Sequence, residues 1–336
     1  MKTGTFRTSA LAGVIGMMLA GIAGAEEWKF AIEEIPGSIM DSYAQEFKSR
    51  VESATGGEVT VTIYPLGALG SPTEVAEQTA DGVVQLSNLS IGNLGTIVPE
   101  SQIFLAPYIL PSDSATLNEV LATSPTIHGE LAEDFAAKGL RLGALYSEGP
   151  QVWTTRKEIR APDDLSNFKM RVMVSPLLLK AYEDLGASPT PVPFGEVYGA
   201  LQLGQVDGQV NPVPTIEEMK FYEVTDYLIW AGEQDLITAV MASDDWYQTL
   251  PADRQALIDQ TFAELNDFIP PVVEAFNKER LDRIKAAKPG IQTIELTEAE
   301  RAVFRERSLA TQAAVGEIVG ARGAELLTAL QAEIGG

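Results

Sequence analysis

The feature that most constrains this chain is an alternation of short β-branched strands with amphipathic helices, met twice before a long helical tail. In the first set, residues 28–32 (WKFAI) predict a strand and residues 37–53 a helix. There Ile39, Tyr43, Phe47 and Val51 recur every four positions, and Gly56-Gly57 follow as a stop. The stretch VTVTIY at 59–64 alternates as a strand, Pro72 opens a helix that runs to 81 and closes at Gly82, and 83–89 returns as a strand. The second set predicts strands at 140–146 and 152–155, a single helical turn at 161–165 and a strand at 168–174. A helix at 176–185 is stopped by Gly186, and an extended segment at 189–192 precedes a helix at 195–203 and a further strand near 206–209. Such alternation defines an α/β fold. The tail, 251–288 and 297–334, carries apolar stripes of helical period, with capping-box spacing at Thr297 and Glu300. No flexible linker divides the 336 residues, so a two-lobed chain must cross between lobes on strands or long helices.

The N-terminus reads as an export leader. Lys2 and Arg7 precede an apolar run of about a dozen residues, shorter than the roughly 20 a bilayer needs, and Ala23-Gly24-Ala25 supplies a cleavage site. Residues 1–25 are expected to be removed after Ala25, leaving a periplasmic protein with no lipid-anchoring Cys and no spanning segment. The formal charge is −23, and it grows more negative once Lys2 and Arg7 go. That field repels phosphate backbones and anionic lipid, so nucleic acid and membrane surfaces are poor partners. With no Cys and one His, disulfides, thiolate chemistry, His-rich metal sites and most catalytic triads are excluded, and neither metal nor cofactor is expected. His128, at an apparent helix start, reads as a surface or capping residue. A periplasmic enzyme built on a carboxylate pair is the weak alternative: 47 acids guarantee coincidental pairs, and no nucleophile-elbow, zinc-protease, P-loop or dinucleotide motif stands in proper context.

Residues 168–212 are the most unusual. Arg171 stands in a strand otherwise built for burial by Phe168, Met170, Val172 and Val174. A buried guanidinium is costly without a partner. Its fork suits a ligand carboxylate, and it equally suits a structural ion pair with one of the many acids.

Several stretches carry a family resemblance: the strand KMRV, the run LGASPTPVPFGEVYGALQ, and the motif Asp207-Gly-Gln-Val-Asn-Pro212, with YPLGALG at 64–70 and the run from Phe104 to Tyr108. In these the chain resembles the DctP-type solute-binding proteins of TRAP transporters over nearly its whole length after the leader. EEWKFAIEEIPG and SQIFLAPYILPSD are most similar to the family's ectoine receptors. The resemblance implies a two-lobed periplasmic binding protein fold with mixed sheets, hinge strands and a long lobe-spanning helix. One lobe would hold 26–148 plus about 237–275, the other 149–236 plus about 276–336, with the ligand cleft between them. It implies that Arg171 binds a ligand carboxylate and that Asn211, ahead of Pro212, holds the same group. Glu34 matches an acid directed at ring nitrogens. Phe194 matches an aromatic wall residue, Asn93 falls where the ectoine receptors place an aromatic, and Gln151 stands where some sugar-acid receptors carry a second Arg. Trp153 fits the cleft or the core. Val210 replaces a common Glu, and Val213 and Pro214 follow where bulky aromatics are found, so an aromatic box would be incomplete. The implied ligand is a small organic monocarboxylate: an ectoine-like compound, an aromatic carboxylate, a hydroxy acid or a sugar acid. The implied partners are the small and large TRAP permease subunits, with the receptor a monomer; service to a sensor kinase is the alternative.

Overall fold

The computed structural model describes Met1 and residues 25–335, so the leader reading falls largely outside the described residues. The strands are β1 (Glu26–Ile32), β2 (Val59–Tyr64), β3 (Leu86–Ser90), β4 (Leu140–Pro150), β5 (Val152–Thr155), β6 (Lys169–Val172), β7 (Ser188–Pro191), β8 (Gly208–Asn211), β9 (Tyr227–Trp230), β10 (Asp235–Ser243) and β11 (Gln292–Glu295). They form two mixed sheets, β2-β1-β3-β10-β4 and β11-β9-β5-β8-β6-β7. The first set of strand–helix alternation builds the first sheet, but the strand expected at 140–146 to open the second set, β4, joins that first sheet, and the second sheet begins only with β5.

In the first sheet β1 lies parallel between β2 and β3, while β10 runs antiparallel to β3 and β4. One face of β1 places Trp28, Phe30 and Ile32 in a core completed by the helix Ile39–Ala54 and the first half of the helix Ala252–Ala287, through Phe47, Phe262 and Leu265. Phe30 and Phe47 meet edge-to-face at 5.4 Å. Each such burial stabilises by roughly 1.5–3 kcal/mol. In the second sheet β6 is parallel to β7 and β8, and β5 is antiparallel to β8 and β9.

Two strands carry the chain between lobes. β4 runs into β5 with only Gln151 between them, and β10 returns alongside: Asp235 is in register with Pro150, and the Gln151 amide donates to the Gln234 carbonyl at 2.9 Å. The third crossing is the 36-residue helix Ala252–Ala287, about 54 Å long. It packs on Ile39–Ala54 and β4 in the first lobe and on the helix Val213–Glu218 in the second. Pro270 and Pro271 lie inside it, beside the hinge strands; lacking N–H groups, they leave two carbonyls a turn earlier without helical partners.

Three expectations change. The tail stripe at 297–334 is two helices, Glu298–Ile318 and Ala321–Gly335, because Gly320 adopts φ +102°, a left-handed conformation that ends a helix. The second of these helices does not stay with the second lobe. It packs on Pro99–Leu105 and Thr126–Leu131, and the Glu333 carboxylate accepts from the Thr126 amide at 3.1 Å and from the Ser124 and Thr126 hydroxyls. Strands β9, β10 and β11 had no counterpart in the pattern reading. Exposed His128 does cap a helix end: its Nε2 lies 2.9 Å from the Leu121 carbonyl of the helix Ser114–Thr123.

Candidate functional site

Parallel strands open a crevice beyond their carboxyl ends. Here two sheets direct such ends at one another. From the first lobe come Glu33 and Glu34, just past β1, and Ser90 and Asn93, at and just past the end of β3. From the second come Arg171 and Met173 on and past β6, Asn211 at the end of β8, Phe194 in the turn Phe194–Glu196, and Thr215 in the helix Val213–Glu218; Leu236 enters from β10. These residues line a tight cavity of about 10 Å³, room for about one water, so the lobes lie close together over the site. Arg171 and Asn211 share a face for a simple reason: Arg171 is in register with Gln209 on the parallel neighbour, and Asn211 lies two residues further along it.

Arg171 is 2% exposed. Its Nε donates to the Val192 carbonyl at 2.9 Å, which fixes the plane of the guanidinium. The ion pairs among the described residues all use other cations, so no described acid takes its fork. Burial lowers its pKa to about 10, partly opposed by the charge of Glu33, and it stays cationic at neutral pH. Asn211 donates one N–H to the Gln209 Oε1 at 2.5 Å, and Gln209 in turn donates to the Thr154 hydroxyl at 2.8 Å. A carboxamide has a second N–H, and that one remains for a ligand.

Two acids face this cation. Glu33 accepts from the Ser90 amide at 3.0 Å, the Ser90 hydroxyl at 2.6 Å and Asn93 Nδ2 at 3.1 Å. Burial raises its pKa, against those hydrogen bonds. Glu34 is not the solvated loop carboxylate its position suggests; it is 4% exposed and accepts from the Thr215 hydroxyl at 3.3 Å. Burial, and then the charge of Glu33, raises its pKa to about 7. Behind it, burial also drives up the pKa of Glu148 and raises that of Glu218 to about 9, with the Glu34 charge the next cause in both.

Five of the sequence-predicted residues, Arg171, Asn211, Glu34, Phe194 and Asn93, are thus brought together. Two are not. Trp153 is fully buried on the central strand β5, edge-to-face with Phe304 at 5.3 Å, and donates its indole N–H to Glu233. Gln151 is buried in the hinge crossing, where its Oε1 has no partner. Glu33, Ser90, Met173, Thr215 and Leu236 line the same cavity without a mark in the sequence pattern. Met173 is recoverable only by position, two residues past Arg171 on an alternating strand. Glu33 is not, since adjacent acids after a strand look like a solvated pair.

The lobes touch across this site. The Ser90 hydroxyl lies 3.4 Å from Met173 Sδ, and the Met173 thioether lies so close to Gly92 that a Cβ there would come within 2.5 Å of that sulfur and push it aside. Gln102 Oε1 accepts from the Ser175 hydroxyl at 2.7 Å and the Leu177 amide at 3.3 Å, holding the start of the helix Pro176–Asp184.

Two lobes joined by paired strands and a long helix, with a free buried cation in the cleft, define a periplasmic binding protein. The chain belongs to the DctP family, bacterial extracellular solute-binding protein family 7, whose sequence model matches residues 30–315. It is 36% identical to the ectoine/5-hydroxyectoine-binding periplasmic protein UehA of Ruegeria pomeroyi, over 99% of this chain and 97% of that one. It is 35% identical to the ectoine-binding periplasmic protein TeaA of Halomonas elongata, again over 99% and 97%. A high-resolution structure of the Halomonas protein superposes with a TM-score of 0.89, covering 92% of this chain and 99% of that one, and its apo state with 0.81, covering 92% and 100%. A Desulfovibrio salexigens TRAP solute-binding protein with bound orotic acid, 31% identical, gives 0.86 over 92% and 98%. The chain is therefore a TRAP periplasmic solute-binding receptor, of a family of transport proteins rather than enzymes. Among the described residues no helix is long and apolar enough to cross a membrane.

Proposed function

We propose that this receptor captures a small organic monocarboxylate between its lobes and delivers it to a TRAP permease in the membrane. The observation that carries the reading is Arg171: a buried guanidinium held in plane by Val192, with its fork unpaired and Asn211 on the same face. A carboxylate would take the fork and the second Asn211 N–H with charge-assisted bonds. The remaining walls favour a compact solute with an N–H or O–H group toward Glu34 and an apolar flank against Phe194, Met173 and Leu236. Near neutral pH Glu34 exists in both protonation states, so it can accept from a donor or share a proton. Ectoine and orotic acid, named for the relatives, are both small ring carboxylic acids, which supports the class.

The lobes, 26–148 plus about 237–275 and 149–236 plus about 276–336, would swing about the Ser147–Gln151 and Gln234–Ile237 crossings, except that the last helix, Ala321–Gly335, packs on the first lobe and would move with it. Ligand favours the closed form because its contacts come from both lobes at once. A thermal-shift screen of the mature protein tests the class. A ligand present at 100 times its dissociation constant adds about 2.7 kcal/mol. Small ring monocarboxylates should raise the melting temperature by several degrees and their amides should not; stabilisation by neutral or cationic solutes alone would contradict it.

A further inference from the structure

A second crevice lies on the side of the hinge formed by the Gly232–Asp235 segment, with a volume of about 350 Å³. Its walls include Tyr108 and Trp230, and Glu233, Arg301 and Arg305 also face it. Two buried polar atoms here lack partners, and they are of opposite kind. Glu233 is 2% exposed; its Oε1 accepts from Trp153 and from the Tyr182 hydroxyl at 3.1 Å, but its Oε2 accepts from nothing. Arg301 Nε is a buried donor with no acceptor, although its Nη2 reaches Glu295 at 3.4 Å. Arg301 packs against the backbone next to Glu233, since a Cβ at Gly232 would lie 3.2 Å from Arg301 Nε, but no ion pair joins the two side chains. An unmade buried hydrogen bond costs roughly 1–3 kcal/mol.

The backbone around them is also held in a costly form. Tyr108 has φ +59°, rare for a bulky residue, and is pinned there by its amide to the Glu233 carbonyl at 2.8 Å and its hydroxyl to the Ala231 carbonyl at 3.3 Å. Arg305 sits over the Tyr108 ring at 5.2 Å. Burial raises the Glu233 pKa to about 7. Asp235, bonded to the Ser147 hydroxyl at 2.5 Å, adds a second acid with no described cationic partner.

We propose that this hinge crevice is a second binding site, for a small zwitterion whose ammonium group meets Glu233 and Asp235 and whose carboxylate meets Arg301. It is separate from the Arg171 cavity, which shares none of these residues. Because its walls include the segment that leads into β10, occupancy would bias the hinge, and by linkage each site would alter the other's affinity by the same factor.

The test uses full-length mature Arg171→Ala protein, with the front site disabled, and follows the Trp230 indole resonance by NMR. Glycine and L-serine are the probes; acetate and methylamine are the single-charge controls. The expected result is a saturable Trp230 shift with the amino acids, much weaker with either control, and an affinity reduced about tenfold by Arg301→Lys and by Glu233→Gln, the size of one lost hydrogen bond to a charged group. Glu233→Gln keeps an oxygen for Trp153 and Tyr182, and Arg301→Lys keeps the charge, so both variants should fold; near-ultraviolet circular dichroism checks this. No saturable shift with either amino acid, an equal response to acetate or methylamine, or an affinity untouched by both substitutions in folded protein would overturn the proposal.

Discussion

At the scale of single residues, the cleft depends on which polar groups are already satisfied. Asn211 spends one N–H on Gln209 and keeps the other. Asn211→Leu therefore removes one hydrogen bond to a charged group, worth about 1.5–3 kcal/mol. Calorimetry should show carboxylate binding weakened by roughly 10- to 100-fold; a change within about twofold would remove Asn211 from the site. Glu34 makes a different prediction. Its pKa rises on folding from 4.5 to about 7. Between those values the folded chain holds a proton that the unfolded chain has released, so the stabilisation is complete below 4.5 and is lost as pH rises through 7. Glu218, raised to about 9, acts with the same sign. The melting temperature of ligand-free protein should fall from about pH 5 to pH 8, and Glu34→Gln should flatten that fall.

At the scale of elements, the long helix Ala252–Ala287 does more than span the lobes. Its Arg280 bonds the Gly37 carbonyl at 3.0 Å, in the loop that presents Glu34, and Glu217 at 2.5 Å, on the helix that follows Asn211. One side chain thus joins the two lobes' contributions to the cleft. Arg280→Met should keep the contact with Phe276 but lose both bonds. Ligand affinity should fall about five- to tenfold, a normal coupling energy. Small-angle scattering should show a larger radius of gyration than wild type at the same ligand concentration. Unchanged affinity and dimensions would make Arg280 a surface ion pair only.

At the scale of the whole molecule, the lobes meet through Met173 against Gly92 and Ser175 against Gln102. The Halomonas receptor superposes with a TM-score of 0.89 in one structure and 0.81 in its apo state. Much of this architecture was legible in the sequence. The Ile39–Val51 stripe and the β-branched runs mark helices and strands by period alone, and a lone Arg in an apolar strand marks the candidate site. Other parts were not. Strand β9 is four residues long, too short for alternation to register, and β10 (DLITAVMAS) is buried along nearly all its length, so it carries no polar face to read. Which acids are buried also lies outside the pattern: Glu33 and Glu34 look solvated until the second lobe covers them.

The central claim is that Arg171 holds a ligand carboxylate in a cleft that closes over it. Isothermal titration calorimetry on wild type and Arg171→Ala, with the best carboxylate from the thermal screen, tests it most directly. Wild type should bind one equivalent. Arg171→Ala should lose about 3–5 kcal/mol, enough to abolish measurable heat, with the ligand-free melting temperature no lower than that of wild type, since the unpaired buried cation is gone. An Arg171→Ala protein that binds with wild-type affinity would contradict the account.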